Sequence, residues 1–224
     1  MSESVGPGGG SVAGLSGAGP SAAELSAVAQ DYLKVVWSAT EWADRPVTTK
    51  LLATRLGVGA STVSETVRRL ADQGLLTHEP YGAVGLTDEG RRLALAMVRR
   101  HRLVETFLVE QLGYGWDEVH DEAEVLEHVL SDRLLDAIDA QLGRPTRDPH
   151  GDPIPDATGR VQRPDAVLAA ALPADARGRV ARISDRDPAV LRRIREADIG
   201  LDTVISVAEL PEGAAEAVWL VVLG

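Results

Sequence analysis

The sequence predicts a mainly α-helical protein with a small β domain at its C-terminal end, on three observations. Apolar residues recur at helical spacing from about residue 25 to 142. A stretch with five prolines and three glycines, Gly143 to Pro164, then interrupts that pattern. Beyond it come β-rich runs such as DTVISVAEL (202–210) and AVWLVVLG (217–224). With four Trp, three Tyr and one Phe in 224 residues, the core is expected to be mostly aliphatic.

Residues 1–23 are Gly, Ser, Ala and Pro with no apolar period, and predict a flexible tail. LSAVAQDYLKVVWSATEW (25–42) predicts a first helix with Leu33, Val36 and Trp37 on one stripe. TTKLLATRLGV predicts a short helix capped by Thr48 or Thr49 and ended by Gly57. GASTVSETVRRLADQGLL (59–76) predicts another, with Ser61 as N-cap, Val63, Val67 and Leu70 buried, and Gly74 as C-cap. Two short helices about a tight turn make a helix-turn-helix candidate. Leu75–Thr77 and Ala83–Thr87 flank the turn Glu79–Gly82 and predict a hairpin wing, after which Thr87 caps a long helix running to about Val109.

A second helix that enters a major groove leads with small polar residues. Ser61, Thr62, Ser64, Glu65 and Thr66 hold that position here, Thr48 heads the preceding helix, and Arg68 and Arg69 follow within reach of phosphates. The bland alternative is a helical hairpin packed inside a larger domain and touching no nucleic acid. Arg91, Arg92, Arg99 and Arg100 either extend a basic surface or are ordinary solvated side chains.

The net charge of −11 argues superficially against a polyanionic partner, but the charge is unevenly distributed. Residues 31–100 carry ten Lys/Arg against eight Asp/Glu, and residues 101–140 carry two against eleven. DEAEVLEH (121–128) alone holds four carboxylates and a histidine with no basic residue. Like charges one turn apart destabilise a helix, so something must neutralise them. On a helix Glu124, Glu127 and His128 share one face, with His120 a turn earlier, while His101 and Glu105 are an i,i+4 pair on the preceding helix. A lone helical histidine is usually structural; carboxylates and histidines gathered this way suit a divalent cation. With no cysteine in the chain, disulfides, thiolate sites and Cys nucleophiles are excluded. No apolar run approaches the ~18 residues of a membrane span, and the N-terminus lacks the pattern of a signal peptide, so no membrane partner and a cytoplasmic location are expected.

Taken together, DYLKVVW (31–37), ASTVSETVRRLADQGLL (60–76), GLTDEGRRLA (85–94), RRHRLVE (99–105), HDEAEVLEH (120–128) and DPHGDPIP (148–155) make the chain resemble the diphtheria toxin repressor family of metal-dependent transcriptional regulators, in its manganese-responsive form. READIG (195–200) and the β-rich runs are more weakly similar to that family's SH3-like third domain. The resemblance implies a flexible tail (1–23), a winged helix-turn-helix DNA-binding domain (24–94), a helical dimerisation and metal-binding domain (95–142), a Pro-rich linker (143–166) and an SH3-like β-barrel domain (167–224). It implies a homodimer on double-stranded DNA at a pseudo-palindromic operator. It implies a primary metal site of Asp31, Glu124, Glu127 and His128 and an ancillary site of His101, Glu105 and His120. Asp187 falls where a third-domain carboxylate completes the ancillary site, and Val190 holds the other position and cannot ligate, so the ancillary site is expected to be weaker, or closed by Asp185 or by water. Iron-responsive members have Met and Cys where this chain has Asp31 and Glu124, and Mn(II) prefers oxygen and imidazole to sulfur. The expected function is therefore a manganese-dependent repressor of metal-uptake genes. The alternatives are an Fe(II)-dependent or other divalent-metal regulator of the same family, a metal-independent winged-helix regulator, and a carboxylate-bridged di-metal enzyme, for which no paired Glu-x-x-His motifs occur.

Overall fold

The computed structural model describes residues 21–42, 46–78 and 82–223. Most of the expected tail and the hairpin turn at 79–81 lie outside the described residues. The element order is α1 (Ala27–Glu41), α2 (Thr49–Leu56), α3 (Ala60–Asp72), β1 (Leu76–His78), β2 (Val84–Leu86), α4 (Asp88–Leu112), α5 (Val119–Leu126), α6 (Asp132–Gln141), β3 (Val167–Leu168), β4 (Arg177–Ile183), α7 (Pro188–Glu196), β5 (Val204–Ser206) and β6 (Val218–Val222).

Local chemistry sets the helix ends. Ser26, Thr48 and Thr87 each accept a backbone N–H from the first turn of α1, α2 and α4. Gly57 and Gly113 end α2 and α4 in the left-handed conformation, which costs glycine nothing. Two expected caps shift by a residue or two. Gly59 rather than Ser61 is the N-cap of α3, which puts Ser61 inside its first turn, and Gln73 rather than Gly74 is its C-cap.

The inward stripe of α3 is Val63, Thr66, Val67 and Leu70, at the i, i+3, i+4 and i+7 positions of a helix. Thr66, expected at the nucleic-acid face, is therefore part of the core, because it continues the stripe that Val63 starts. That stripe packs with Leu33 and Val36 of α1, Leu52 of α2 and Leu93 and Met97 of α4 in one core. Hairpin β1–β2 is antiparallel, Leu76 opposite Leu86, and its β2 backbone also joins the segment before α2 through Val84 N–H to Val47 O at 2.8 Å.

Helix α4 runs unbroken across the expected domain boundary at 94/95, so its first half belongs to the helix-turn-helix core and its second half to the packing of α5 and α6. The C-terminal unit is a four-stranded antiparallel sheet in the order β3-β6-β4-β5, with α7 packed on it through Val190, Leu191 and Ile194. No pairing closes this sheet into a barrel among the described residues.

Segment 143–166 lacks regular structure, as its prolines require, but it is not a free tether. Asp148, His150, Gly151, Asp152, Pro153, Ile154 and Pro155 are all buried. Ile154 packs with Leu103, Leu135 and Ile138, and Ile183 of β4 donates its N–H to His150 O at 2.8 Å. Around Arg102 of α4 a buried network joins three regions. Its guanidinium pairs with Glu41 at the end of α1 (2.5 Å) and donates to Pro153 O (2.6 Å). Asp152 accepts from Trp42 (2.5 Å) and from Arg182 of β4 (2.7 Å), and Arg182 lies over the Trp219 ring at 4.3 Å. The prolines break helices; the apolar and charged residues between them dock the segment.

Gly151 has φ +88, and a Cβ there would overlap the Ala181 carbonyl of β4. Gly151→Ala is therefore expected to destabilise the protein by about 2–3 kcal/mol in urea unfolding. It should also make 143–166 more open to protease than in wild type; equal stability and equal cleavage would show that this docking contributes little.

Candidate metal centre

The first cluster is assembled from α1 and α5. Ligand-capable atoms of Asp31, Glu124, Glu127 and His128 all lie within 4.8 Å of one another. His128 Nε2 stands 3.1 Å from Asp31 Oδ1 and 3.6 Å from Glu127 Oε1. Gln30, the residue before Asp31, sets how His128 presents itself. Its amide N–H groups donate to Ala22 O (2.8 Å) and Leu25 O (3.1 Å), which fixes its oxygen toward His128 Nδ1 at 2.6 Å. Nδ1 must then be the donor, and in the neutral ring Nε2 carries the lone pair.

That lone pair faces Asp31 Oδ1, a buried oxygen without a hydrogen-bond partner despite its closeness to His128. With the ring neutral, these are two acceptors converging with nothing to donate between them, an arrangement a cation in place of the ring proton satisfies, so these residues fit a metal ion. Burial pushes the Asp31 carboxyl up, and nearby Glu124 and Glu127 add to this against the opposing pull of His128 and Lys34. Glu127 is 1 % exposed and fully paired: Oε2 to His101 Nδ1 of α4 (2.5 Å) and Oε1 to Lys34 Nζ of α1 (2.5 Å). Lys34 also reaches Glu124 Oε1 at 2.7 Å. Burial alone would lower the Lys34 ammonium's pKa; the two carboxylates outweigh it and hold it above its usual value.

The second cluster is a tight triangle between α4 and α5. His101 Nε2 is 3.0 Å from Glu105 Oε1 and 3.2 Å from His120 Nδ1, which is itself 3.2 Å from Glu105 Oε1. Burial works against charge on His101, but Glu105 and Glu127 on its two sides prevail and push its pKa up to about 10. Glu105 is held well below the carboxylate range against the effect of burial, by His101 and His120. A metal at this triangle must therefore displace the His101 proton.

The third domain contributes Asp185, whose Oδ2 is 3.5 Å from His120 Nδ1. Asp187, expected here, is not brought to the cluster. Its carboxylate caps α7, accepting from Ala189 N at 2.9 Å and Val190 N at 3.3 Å. The reason is local: a residue just before the helix-starting Pro188 sits where an N-cap acceptor is needed. Val190 is buried in the sheet core, as a non-ligand can be.

Sequence reasoning missed three residues. Gln30 and Lys34 carry no signal in a linear reading, since their partners lie 98 and 90 to 93 positions away. His150, within the DPHGDP motif, donates Nε2–H to Trp116 O (2.6 Å), which leaves Nδ1 buried and unpartnered 4.0 Å from Glu105 Oε2. It forms a third ligand-capable group with Glu105 and Asp185. A histidine set between Asp148 and Asp152 was the available hint.

At the prospective nucleic-acid face Ser61, Thr62, Ser64, Glu65, Arg68 and Arg69 of α3 are exposed, as is Thr48, whose hydroxyl caps α2. The arginines of α4 have intramolecular partners. Arg91 stacks over Trp37 (4.5 Å), Arg92 pairs with Glu89 (2.7 Å), Arg99 with Asp139 (2.9 Å), and Arg100 donates to Leu130 O (2.6 Å) and pairs with Asp132.

Residues 24–84 match the N-terminal DNA-binding domain of iron-dependent repressors, and residues 87–156 match their metal-binding and dimerisation domain. The iron-dependent repressor IdeR of Mycobacterium tuberculosis is 39% identical over 132 residues, 59% of this chain and 57% of that protein. The diphtheria toxin repressor of Corynebacterium diphtheriae is 36% identical over 124 residues, 55% of this chain and 54% of that protein. The chain thus spans somewhat more than half the length of these curated relatives. A solved manganese-dependent transcriptional repressor in complex with manganese is 52% identical with a TM-score of 0.80, over 87% of this chain and 100% of that one. The manganese regulator SloR is 26% identical with a TM-score of 0.68, over 85% and 97%. The same two domains, in the same order and on the same helices that gather the carboxylates and histidines, place this chain in the iron-dependent repressor family, the diphtheria toxin repressor family of metal-dependent transcriptional regulators.

Proposed function

We propose that the protein is a manganese-dependent DNA-binding repressor in which Asp31, Glu124, Glu127 and His128 hold the primary metal and His101, Glu105 and His120, with Asp185 rather than Asp187 beside them, hold an ancillary one. The observation that carries this is the convergence of unpartnered Asp31 Oδ1 on α1 with His128 Nε2 beyond the end of α5. Helix α1 shares the helix-turn-helix core with α3, so a metal across that gap would tie the ligand-bearing α5 region to the unit that carries the DNA-reading helix. Bound metal supplies the positive charge that draws those acceptors together and favours one arrangement of the two units.

The donor set favours manganese over the iron named for the curated relatives. It is oxygen and imidazole without sulfur, and manganese is the metal named for the 52% identical structure. Iron remains the second reading because the relatives IdeR are iron-dependent. The di-metal enzyme is set aside, since the family is one of repressors. Supporting a homodimer on a pseudo-palindromic operator, α5, the turn after it and α6 expose Val125 (66 %), Val129 (75 %) and Leu134 (47 %). We read residues 24–94 as the DNA-binding unit, with Thr48, Ser61, Thr62, Ser64, Glu65 and Arg69 toward DNA, and 95–142 as the dimerisation and metal unit. Residues 167–224 are read as an SH3-like module reduced to an open four-stranded sheet. No helix among the described residues is long and apolar enough to cross a membrane, and a DNA-bound regulator works where the DNA is, in the cytoplasm.

Three outcomes are expected. His128→Ala should abolish Mn(II)-activated operator binding in a gel-shift titration while Asp121→Ala, an exposed residue outside the cluster, leaves it within about twofold; equal behaviour of the two variants would remove the site from α5. Asp31→Met with Glu124→Cys should move activation from Mn(II) toward Fe(II) or Co(II) under anaerobic titration. An unchanged Mn(II) preference would show that donor softness does not select the metal. Val125→Arg with Val129→Arg should sediment as a monomer and lose DNA binding, and a dimer that survives these charges would place the interface elsewhere.

A further inference from the structure

Lys34 lies on α1 one turn after Asp31, and its side chain is only 9% exposed. Its ammonium does not lie beside the primary cluster but on its ligand atoms. Glu127 Oε2 is already bound to His101, so Oε1, the oxygen facing His128 Nε2 at 3.6 Å, is the one left for a metal, and Lys34 Nζ donates to it at 2.5 Å. The second donor contact, at 2.7 Å, goes to Glu124 Oε1, the other α5 carboxylate of the cluster. A hard divalent ion sits roughly 2.0–2.6 Å from carboxylate oxygens, so an ion sharing both oxygens would lie within a few ångströms of the ammonium in a poorly solvated site, where like charges repel strongly. One cation must leave. A cleft of about 560 Å³ opens beside Lys34, lined by Glu118 and Asp121 as well as by Arg55, Arg102, Arg182 and Arg186, which gives a flexible four-carbon stem room to swing into, with carboxylates along one part of its wall.

We propose that Lys34 is a tethered counter-cation that occupies the carboxylates of the primary site in the metal-free protein and is expelled by a divalent transition metal, so that its displacement raises the metal concentration the site requires. Metal-free, Lys34 bridges α1 to Glu124 and Glu127 only and leaves the gap between Asp31 and His128 unbridged. On binding, the connection passes to Asp31 and His128. Lys34 thus sets the affinity of the site without being one of its ligands. This rests on the reading of Asp31, Glu124, Glu127 and His128 as a metal site.

The chain has only two lysines, Lys34 and exposed Lys50, so amine acetylation followed by mass spectrometry reads Lys34 against an internal reference. In the full-length metal-free protein Lys34 should acetylate several-fold more slowly than Lys50, and saturating Mn(II) should bring Lys34 close to the Lys50 rate. Mn(II) bound, by calorimetric titration of the same sample, with Lys34 still protected would overturn the displacement and leave the metal reading standing. No Mn(II) binding in that titration would overturn both. Lys34→Leu should bind Mn(II) at least about tenfold more tightly, since the competitor is gone. It should also melt at a lower temperature than wild type when metal-free, since Glu124 and Glu127 lose their counter-charge. Unchanged or weaker Mn(II) binding by Lys34→Leu overturns the proposal.

Discussion

The organisation of this molecule depends on how the negative charge of α5 is neutralised. Glu127 is the centre of the problem: it is fully buried, it comes from a segment with no basic residue, and an unpaired carboxylate in such a place would be strongly destabilising. The fold resolves it by bringing Lys34 from α1 to one oxygen and His101 from α4 to the other. Three helices are thereby positioned by one carboxylate. The acids of DEAEVLEH do not simply repel one another while awaiting a metal. Glu127 is a paired structural group already, so its removal would cost the metal-free protein two buried contacts, whereas exposed Asp121 has no such role.

The same three helices connect the cluster to the helix-turn-helix core. Helix α4 serves both halves, with Leu93 and Met97 in the core that seats α3 and, farther along, His101 and Glu105 in the clusters of ligand-capable groups. Helix α1 carries Gln30, Asp31 and Lys34 toward α5 on one face and Leu33 and Val36 into the helix-turn-helix core on another. Because α1 and α4 are continuous helices that share a core with α3, a change of charge at the clusters acts on elements packed into that core.

The third domain joins through chemistry of a different kind. Arg182 stacks over Trp219 and pairs with Asp152, while Arg102 and Trp42 meet the same aspartate from α4 and the end of α1. This fixes Asp185 near His120 and His150 near Glu105. Glu105 consequently faces ligand-capable groups on both its oxygens, and the ancillary region is wider than the triangle of His101, Glu105 and His120.

Periodicity and capping chemistry by themselves determined helices α1 to α4 and the wing, because a stripe such as Val63, Val67 and Leu70 or a cap such as Thr87 acts over one or two turns, and β-rich composition marked β5 and β6, while β4 and α7 carried no signal that was read. Spacing also determined that Glu124, Glu127 and His128 share a face and that His101 and Glu105 form a pair, while Asp31 and the third-domain carboxylate came through family resemblance. Only the tertiary structure decided what lies across from them. Lys34 and Gln30 reach partners 90 or more residues away, Thr66 turns inward because the stripe needs a fourth member, and Asp187 is taken by the helix it begins, which leaves Asp185 to face His120. The stretch from Gly143 to Pro164 shows the same limit. Its prolines exclude helix on local grounds, but whether the chain there is a tether or a docked strap depends on Ile154, Asp152 and Gly151 finding partners in α4 and β4, and no local rule contains those partners.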